Sequence, residues 1–291
     1  MSFIANTKCF LCGSNHFSCI HKGVRGSKDI NVIRCESCGL VQLDKFIDDI
    51  EKFYEESNMR PVQKTLNEIR ATAYRDDYRR YLFTKSMIEN RSVLDFGAGA
   101  GGFIKLCKEC VKDICGIELE KIMQDAIIKE GVPCFSGVKD LKQKMPEKRF
   151  NIITLFHVLE HLQNPIRVLR LLADLLDNNG KIIIEVPNAD DALLSTFKND
   201  SFADFTYWMC HLYLYSNQTL KALIEKAGLK VKFIQQIQRY PLANHLYWLS
   251  HNKPGGHQEW GMLTDYELDK AYEDKIAKLG IADTIIAVVE K

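Results

Sequence analysis

The chain has 291 residues, of which 46% are hydrophobic and 26% are charged, and its 39 Lys and Arg nearly balance its 38 Asp and Glu. The formal net charge of +1 argues against nucleic acid or an anionic membrane as a partner bound through a strong overall field. The sequence has neither a secretory signal pattern nor a run of about eighteen apolar residues, so we expect a cytoplasmic protein without membrane contact.

Four of the ten cysteines form two CxxC pairs near the N-terminus, Cys9 with Cys12 and Cys35 with Cys38. About twenty residues separate the pairs, which is typical of two knuckles that close a four-thiolate site. Soft thiolates favour zinc, and four protein ligands leave no open position on the metal. We therefore predict a zinc ribbon with structural zinc over residues 1–45, with free cysteines or a redox pair as the alternative.

Residues 46–90 are charged and carry aromatic and arginine side chains at helical spacings, so we predict a helical linker or lid there. Beyond it, residues 91–291 alternate apolar runs with helical segments, which is typical of a parallel sheet covered on both faces. The expected strands are SVLDF, DICGIE, VPCF, FNIITLF, KIIIEV, KVKFIQQI and DTIIAVVEK. Before KIIIEV we expect a helix that starts at Pro165, includes Leu176 and ends at Gly180.

Two irregular insertions interrupt this alternation, at residues 188–215 and 239–262. Both follow strands at the sheet edge where such folds bind their acceptors. The second insertion concentrates amide, imidazole and indole groups that suit the face and hydroxyls of a sugar. The substrate-binding candidates there are Asn244, His245, Trp248 and His257. A dimer contact or a lid is the alternative for this aromatic segment, which leaves a homodimer open.

The first expected strand runs into VLDFGAGAGGF, whose glycines fit two different cofactor turns. Gly97, Gly99 and Gly102 spell the dinucleotide pattern, whereas Gly97, Gly99 and Gly101 spell the pattern of S-adenosylmethionine (SAM) enzymes. Asp95 favours SAM, because a carboxylate repels a pyrophosphate but attracts the ammonium of a methionine moiety.

Together with GIELE and FNIITLFHVLEHLQNPIRVLRLLADLLDNNGKIIIEVPN, this turn resembles the class I SAM-dependent methyltransferases over about residues 90–290. The resemblance implies an α/β fold with a seven-stranded, mostly parallel, doubly wound sheet and SAM across the carboxyl ends of its first strands. Glu118 would hold the ribose, although that contact would serve NAD equally. The cofactor-binding residues that the resemblance implies are Asp95, Gly97, Gly99, Gly101, Glu118, Gly137, Val138, Phe156 and His157.

A four-cysteine module ahead of this domain resembles a group of methyltransferases that act on nucleotide-linked sugars in polysaccharide and antibiotic pathways. In the sugar C-methyltransferases, a histidine before a leucine and an aromatic-serine step enters the pocket, and HLYLYS matches that pattern at His211. Those enzymes carry a second polar group where this chain has Trp208. With that group missing, the sequence fits O-methylation as well as it fits C-methylation. We therefore predict SAM-dependent O- or C-methylation of a small, sugar-containing acceptor.

A base beside the methyl group is needed for a hydroxyl or carbon-acid acceptor. The catalytic candidates are His211, His157, Glu160 and His161, and a structural role is the alternative for the last two. Two other functions stay open. Some ribosomal RNA methyltransferases also begin with a zinc module, and a SAM-binding scaffold would keep the turn without turnover. The modest basic content between the knuckles argues against RNA.

Overall fold

The structure is a computed structural model that describes residues 3–48, 50–55 and 65–291. Five short strands come first: β1 Phe3–Ala5, β2 Phe17–His21, β3 Val32–Cys35, β4 Val41–Leu43 and β5 Lys45–Ile47. Two helices follow, α1 Ile50–Glu55 and α2 Leu66–Ile88. These helices fall within the segment expected to be helical, of which residues 49 and 56–64 lie outside the described residues.

The remaining strands are β6 Ser92–Phe96, β7 Asp113–Ile117, β8 Cys134–Phe135, β9 Phe150–Phe156, β10 Leu176–Pro187, β11 Tyr213–Leu214, β12 Lys230–Ile237 and β13 Thr284–Glu290. Seven of them form the central sheet of the described chain, in the order β12-β13-β10-β9-β6-β7-β8. Strand β13 runs antiparallel to both of its neighbours, and the pairings among β10, β9, β6, β7 and β8 are parallel. The predicted seven-stranded, mostly parallel sheet is confirmed.

Helices cover both faces of this sheet. Successive strand residues point to opposite faces, and because strands such as β6 and β9 are mostly apolar, both faces need to be buried. Leu94 of β6 belongs to a core that includes Leu169 and Leu220, whereas its neighbour Val93 belongs to a second core that includes Phe103. The helices beyond α2 are α3 Gly102–Cys107, α4 Lys121–Lys129, α5 Val138–Lys144, α6 Pro165–Ala173, α7 Ala192–Ser195, α8 Asp200–Thr206, α9 Asn217–Lys226, α10 Leu242–His251, α11 Gly256–Glu259 and α12 Tyr266–Leu279. Among the described residues, no helix combines the length and apolar character that a membrane crossing requires.

Helix α6 is shorter than its apolar pattern predicts. The Asn164 side chain caps it and Pro165 opens it as expected, but the helix ends at Ala173. Leu176 already belongs to β10, where it pairs with Phe150 of β9. The expectation that Leu176 lies on the helix is therefore wrong, because strand pairing takes this residue into the sheet.

The N-terminal strands join the main domain through a shared sheet. Strands β2, β3 and β4 form a four-stranded sheet with β11, which comes from the first insertion far along the chain. In that antiparallel pairing Tyr213 lies opposite Gln42 and Leu214 lies opposite Val41. The backbone of Arg25 also exchanges hydrogen bonds with the 207–209 segment. The segment around His211 is therefore fixed by the N-terminal module as well as by the domain in which it lies.

A buried ion cluster fastens α2 to the sheet. Glu185 of β10 is fully buried and accepts hydrogen bonds from Arg80 at 2.7 Å and from Arg79 at 3.0 Å. Burial opposes ionisation of Glu185, but the charge of Arg80 outweighs it and holds the pKa of this carboxyl well below its usual range. Removal of one partner from such a cluster leaves an uncompensated buried charge.

We expect Glu185→Gln to lower the free energy of unfolding by about 3–5 kcal/mol, because two arginines lose their counter-charge. Glu225→Gln is the matched control, since Glu225 forms an exposed pair with Lys221 at 3.8 Å and its loss is worth about 0–1 kcal/mol. Denaturant unfolding of both variants measures the difference. A loss below about 1 kcal/mol for Glu185→Gln would show that the cluster does not fasten α2.

Candidate active site

The glycine turn after β6 has a backbone that few other residues adopt. Gly97, Gly99 and Gly101 have φ values of 78°, 52° and 72°, all in the left-handed region. A Cβ on Gly97 would lie 2.4 Å from a methyl carbon of Val158, and one on Gly101 would lie 2.7 Å from Ile127, whereas Gly99 faces open space. The turn thus brings bare backbone to the carboxyl end of β6, where a ligand can approach closely.

Glu118 at the tip of β7 binds the same turn. One carboxylate oxygen accepts the backbone N–H of Gly99 at 2.7 Å, and the other accepts the N–H of Glu120 at 3.0 Å. Next to it, β8 ends at Phe135, and Gly137 precedes helix α5. The structure therefore brings the predicted methionine, ribose and adenine positions to three adjacent strand ends, on one side of the point where the strand order reverses.

Asp95 is the buried acid of this turn. Its side chain is 3% exposed and accepts a hydrogen bond from the Thr154 hydroxyl at 2.7 Å. Burial raises the pKa of Asp95 to about 7, because the Thr154 hydrogen bond and the charge of Arg80 do not offset the loss of solvent. A cationic group bound beside Asp95 would favour its ionised form.

Phe156 and His157 end strand β9 at the neighbouring position. The ring of Phe156 packs edge-on against Phe103 at 5.0 Å and under the guanidinium of Arg80 at 5.0 Å. His157 has φ 55°, an unusual conformation for a residue with a side chain. These two residues close the side of the site that faces α2.

Both ring nitrogens of His157 are engaged by protein groups. Its Nδ1 lies 3.1 Å from Glu160, and its Nε2 lies 3.2 Å from Glu185 and 3.1 Å from Arg239. Burial and the charge of Arg239 lower the pKa of His157, but the hydrogen bonds to Glu160 and Glu185 outweigh them and raise it. Among the three histidine candidates, His157 is thus the one enclosed by ion pairs.

His211 lies beside the turn that follows β9. The backbone N–H of Leu212 donates to Glu160 O at 2.9 Å, which holds this part of the first insertion against the 3₁₀ turn Leu159–His161. The rings of His211 and His161 are 4.9 Å apart, and Trp208 lies 5.4 Å from His211. Burial, reinforced by the charge of His161, lowers the pKa of His211 to about 3. His211 is therefore a neutral imidazole at physiological pH.

Glu160 and His161 complete this cluster. Burial opposes ionisation of Glu160, but the hydrogen bond from His157 helps to lower its pKa to about 2, so the carboxylate is charged. The Nδ1 of His161 lies 2.8 Å from the carbonyl oxygen of Cys210 and 2.9 Å from the Tyr54 hydroxyl. Burial lowers the pKa of His161. Glu160 contacts His157 and also lies next to His161 and His211, so the structure brings all four catalytic candidates together.

The second insertion contains the four predicted acceptor-binding residues. His245 is 2% exposed and its Nδ1 lies 2.7 Å from the Tyr272 hydroxyl. Asn244 contacts His257 at 3.4 Å, and Trp248 is 2% exposed. His245 thus contacts α12, whereas Trp248 packs edge-on against Phe202 of α8. An acceptor role for these four residues stays a prediction.

The four N-terminal cysteines form one cluster, as their spacing predicts. All four sulfurs lie within 4.8 Å of one another, and the Sγ atoms of Cys9 and Cys38, and of Cys12 and Cys35, are 3.5 Å apart. A disulfide requires about 2.05 Å, whereas four thiolates around one zinc lie about 3.8 Å apart. The donor set and its spacing therefore fit a tetrahedral zinc ion.

Sequence reasoning missed the contribution of α2 to the site. Arg70 donates through Nε to the carbonyl oxygen of Ala100 at 2.8 Å, inside the glycine turn. The carboxylate of Asp77 fills the space beside Gly102, where a Cβ would come within 2.1 Å of it. The segment YRDDYRR carries acids and arginines three residues apart, which was a signal of ion pairs on one helix face.

Comparison with known proteins agrees with this geometry. A family model described as "Methyltransferase domain" matches residues 66–232. A ubiquinone biosynthesis O-methyltransferase of Xanthomonas euvesicatoria pv. vesicatoria (strain 85-10) is 25% identical over an alignment of 158 residues that covers 52% of this chain. The match spans 62% of the length of that relative.

Two solved structures share the fold. A SAM-dependent methyltransferase from Archaeoglobus fulgidus has a TM-score of 0.50 and 20% identity, over 78% of this chain and 95% of the other. A chain from the Haloferax volcanii complex between the Trm112 methyltransferase activator and a methyltransferase has a TM-score of 0.50 and 13% identity, over 84% and 98%. The family match covers more than half of the 291 residues, and the protein therefore belongs to the methyltransferase-domain family, with the class I fold of SAM-dependent methyltransferases.

Proposed function

We propose that the protein transfers the methyl group of SAM to a small, sugar-containing acceptor, such as a nucleotide-linked sugar or a polysaccharide precursor. The observation that carries the proposal is the meeting of two groups of residues at one edge of the sheet. Asp95, the glycine turn and Glu118 offer a cofactor site, and the cluster of Glu160, His161 and His211 follows the next strand end.

On the cofactor side, SAM would supply an electrophilic methyl group on its sulfonium. Asp95 would hold the ammonium. Glu118, which accepts the backbone N–H of Gly99 in the turn, would also accept from the ribose hydroxyls. Phe156 and His157 would line the sulfonium. Gly137 and Val138 would lie by the adenine, at the end of β8.

On the acceptor side, a hydroxyl or a carbon acid must lose its proton as the methyl arrives. Deprotonation of the acceptor depends on His211, a neutral imidazole in a cluster whose carboxylate, Glu160, is already charged. The insertions at 188–215 and 239–262 would contact the rest of the acceptor. The modest identity to the ubiquinone biosynthesis O-methyltransferase is consistent with oxygen as the methylated atom.

The cysteine cluster would hold structural zinc, with all four positions of the metal taken by Cys9, Cys12, Cys35 and Cys38. Its role would be to stabilise the strands β2, β3 and β4, the last of which pairs with β11. The cluster thus supports the acceptor side of the site rather than the chemistry itself.

The affinity for SAM is expected to rise from about pH 5 to pH 7, by up to tenfold per unit, because Asp95 must lose its proton to hold an ammonium. Below a folded-state pKa of about 7, the carboxyl is neutral and the attraction is lost. Calorimetric titration across this range measures the slope.

Asp95→Asn should bind SAM more weakly and lose the slope, whereas the control Asp125→Asn, at an exposed pair with Lys121, should keep it. A wild-type affinity that does not change between pH 5 and 7 would rule out Asp95 as the ammonium partner.

His211→Ala should lower turnover by about 100- to 10,000-fold while SAM affinity stays nearly constant, because the cofactor contacts lie on other loops. The measurement is release of S-adenosylhomocysteine with a panel of nucleoside-diphosphate hexoses, next to calorimetry with SAM. His16→Ala, at an exposed histidine of the N-terminal module outside both insertions, is the control and should keep full turnover. A loss below about threefold, or a collapse of SAM binding, would make His211 a structural residue.

Elemental analysis should find about one zinc per chain, and Cys35→Ser should release it. Hydrogen exchange should then rise in β2, β3 and β4 but stay low in the seven-stranded sheet, since the core on its Phe103 side contains no residue of the module. Cys19→Ser is the control, because Cys19 is an exposed thiol of the same module outside the cluster. A module that stays protected without zinc would contradict a structural metal.

A further inference from the structure

Glu160, His161 and His211 form a second group of potential metal ligands, separate from the cysteines. One ligand atom from each residue lies within 4.8 Å of the other two. Two imidazoles and one carboxylate on a shared face are a common ligand set for divalent transition metals, and they leave coordination positions open.

Two buried atoms in this group lack a partner among the described residues. Oε1 of Glu160 contacts His157, but Oε2 is buried without a hydrogen-bond partner, and so is Nδ1 of His211. The Glu160 residue is fully buried. Buried polar atoms are rarely left unpaired, because each costs the free energy of its lost hydration. Two such atoms in one cluster point to a partner that both of them bind.

The third member, His161, has the tautomer of a metal ligand. Nδ1 of His161 lies 2.8 Å from the carbonyl oxygen of Cys210, and a carbonyl only accepts, so this nitrogen carries the proton. The lone pair of the neutral ring is then on Nε2. Metal-binding histidines usually donate their other ring nitrogen in this way to a backbone carbonyl or a carboxylate. The hydrogen bond that His161 donates to Cys210 thus leaves the lone pair of Nε2 available to an ion.

We propose that Glu160, His161 and His211 bind one divalent transition-metal ion, such as Mn²⁺, Fe²⁺ or Zn²⁺. Two imidazole ligands favour these ions over Mg²⁺, which prefers oxygen. An open position of the ion would take the hydroxyl oxygen of the acceptor, a detail that rests on the proposed methyl transfer.

A bound ion also explains how acceptor deprotonation depends on His211. A metal lowers the pKa of a hydroxyl that it coordinates, so that the O–H bond breaks with the proton going to water and the electron pair staying on oxygen. His211 would then act as a ligand of the ion, not as the group that takes the proton. With a metal at this site, the methylated atom would be oxygen rather than carbon.

Titration of the full-length, zinc-loaded protein with Mn²⁺ tests the site without SAM or acceptor. Mn²⁺ binds thiolates weakly, so the zinc-loaded cysteine cluster does not compete for it. The loss of the free-ion signal in electron paramagnetic resonance should show about one bound Mn²⁺ per chain. Pulsed measurements on the bound ion should show couplings to imidazole nitrogen.

Glu160→Gln and His211→Gln should each weaken Mn²⁺ binding by about tenfold or more, while His251→Gln should leave it unchanged. Circular dichroism checks that the variants are folded, and if they are not, the nitrogen couplings of the wild-type protein decide alone. Binding without nitrogen coupling, equal binding by folded variants, or no stoichiometric binding overturns the proposal. Because no SAM is present, each of these outcomes leaves the methyl-transfer proposal standing.

Discussion

The position of His211 depends on the backbone of the next residue, Leu212. Its N–H donates to Glu160 O at 2.9 Å, and its carbonyl accepts from Leu43 N at 3.1 Å. The first bond holds the insertion against the turn after β9, and the second continues into the pairing of β11 with β4. His211, one residue earlier, is therefore placed by the catalytic domain and by the cysteine module together.

Helix α2 holds the glycine turn in place in the same way. It contacts the glycine turn through Arg70, fills the space beside Gly102 with Asp77, and reaches β10 through the two arginines that pair with Glu185. These contacts are polar and buried, so they fix the helix in one orientation where an apolar face would allow sliding. The two sides of the site thus have separate supports, and a change in one need not reach the other.

The sequence predicts those features that arise from local pattern. Apolar runs place β6, β9 and β12 with their observed bounds, and the CxxC spacing identifies the cysteine cluster. It fails where distant residues decide the outcome. Leu176 continues a helical stripe but is taken up by pairing with Phe150. The contact of Arg80 with Glu185 joins residues 105 positions apart, and nothing local to either one indicates it.

The same reasoning explains why sequence alone could not assign a role to His211. A neutral, half-buried imidazole suits a proton acceptor and a metal ligand equally, and the choice depends on what its buried, unpaired Nδ1 faces. The motif resemblance predicts that His211 lies near the pocket. The carboxylate and the second imidazole that it meets come from the turn after β9, some fifty residues earlier. Only the fold brings them together: β11 of the first insertion pairs with β4, and Leu212 beside it donates its N–H to Glu160 O in that turn. The function of this histidine is therefore a property of the shared sheet, not of the segment in which it lies.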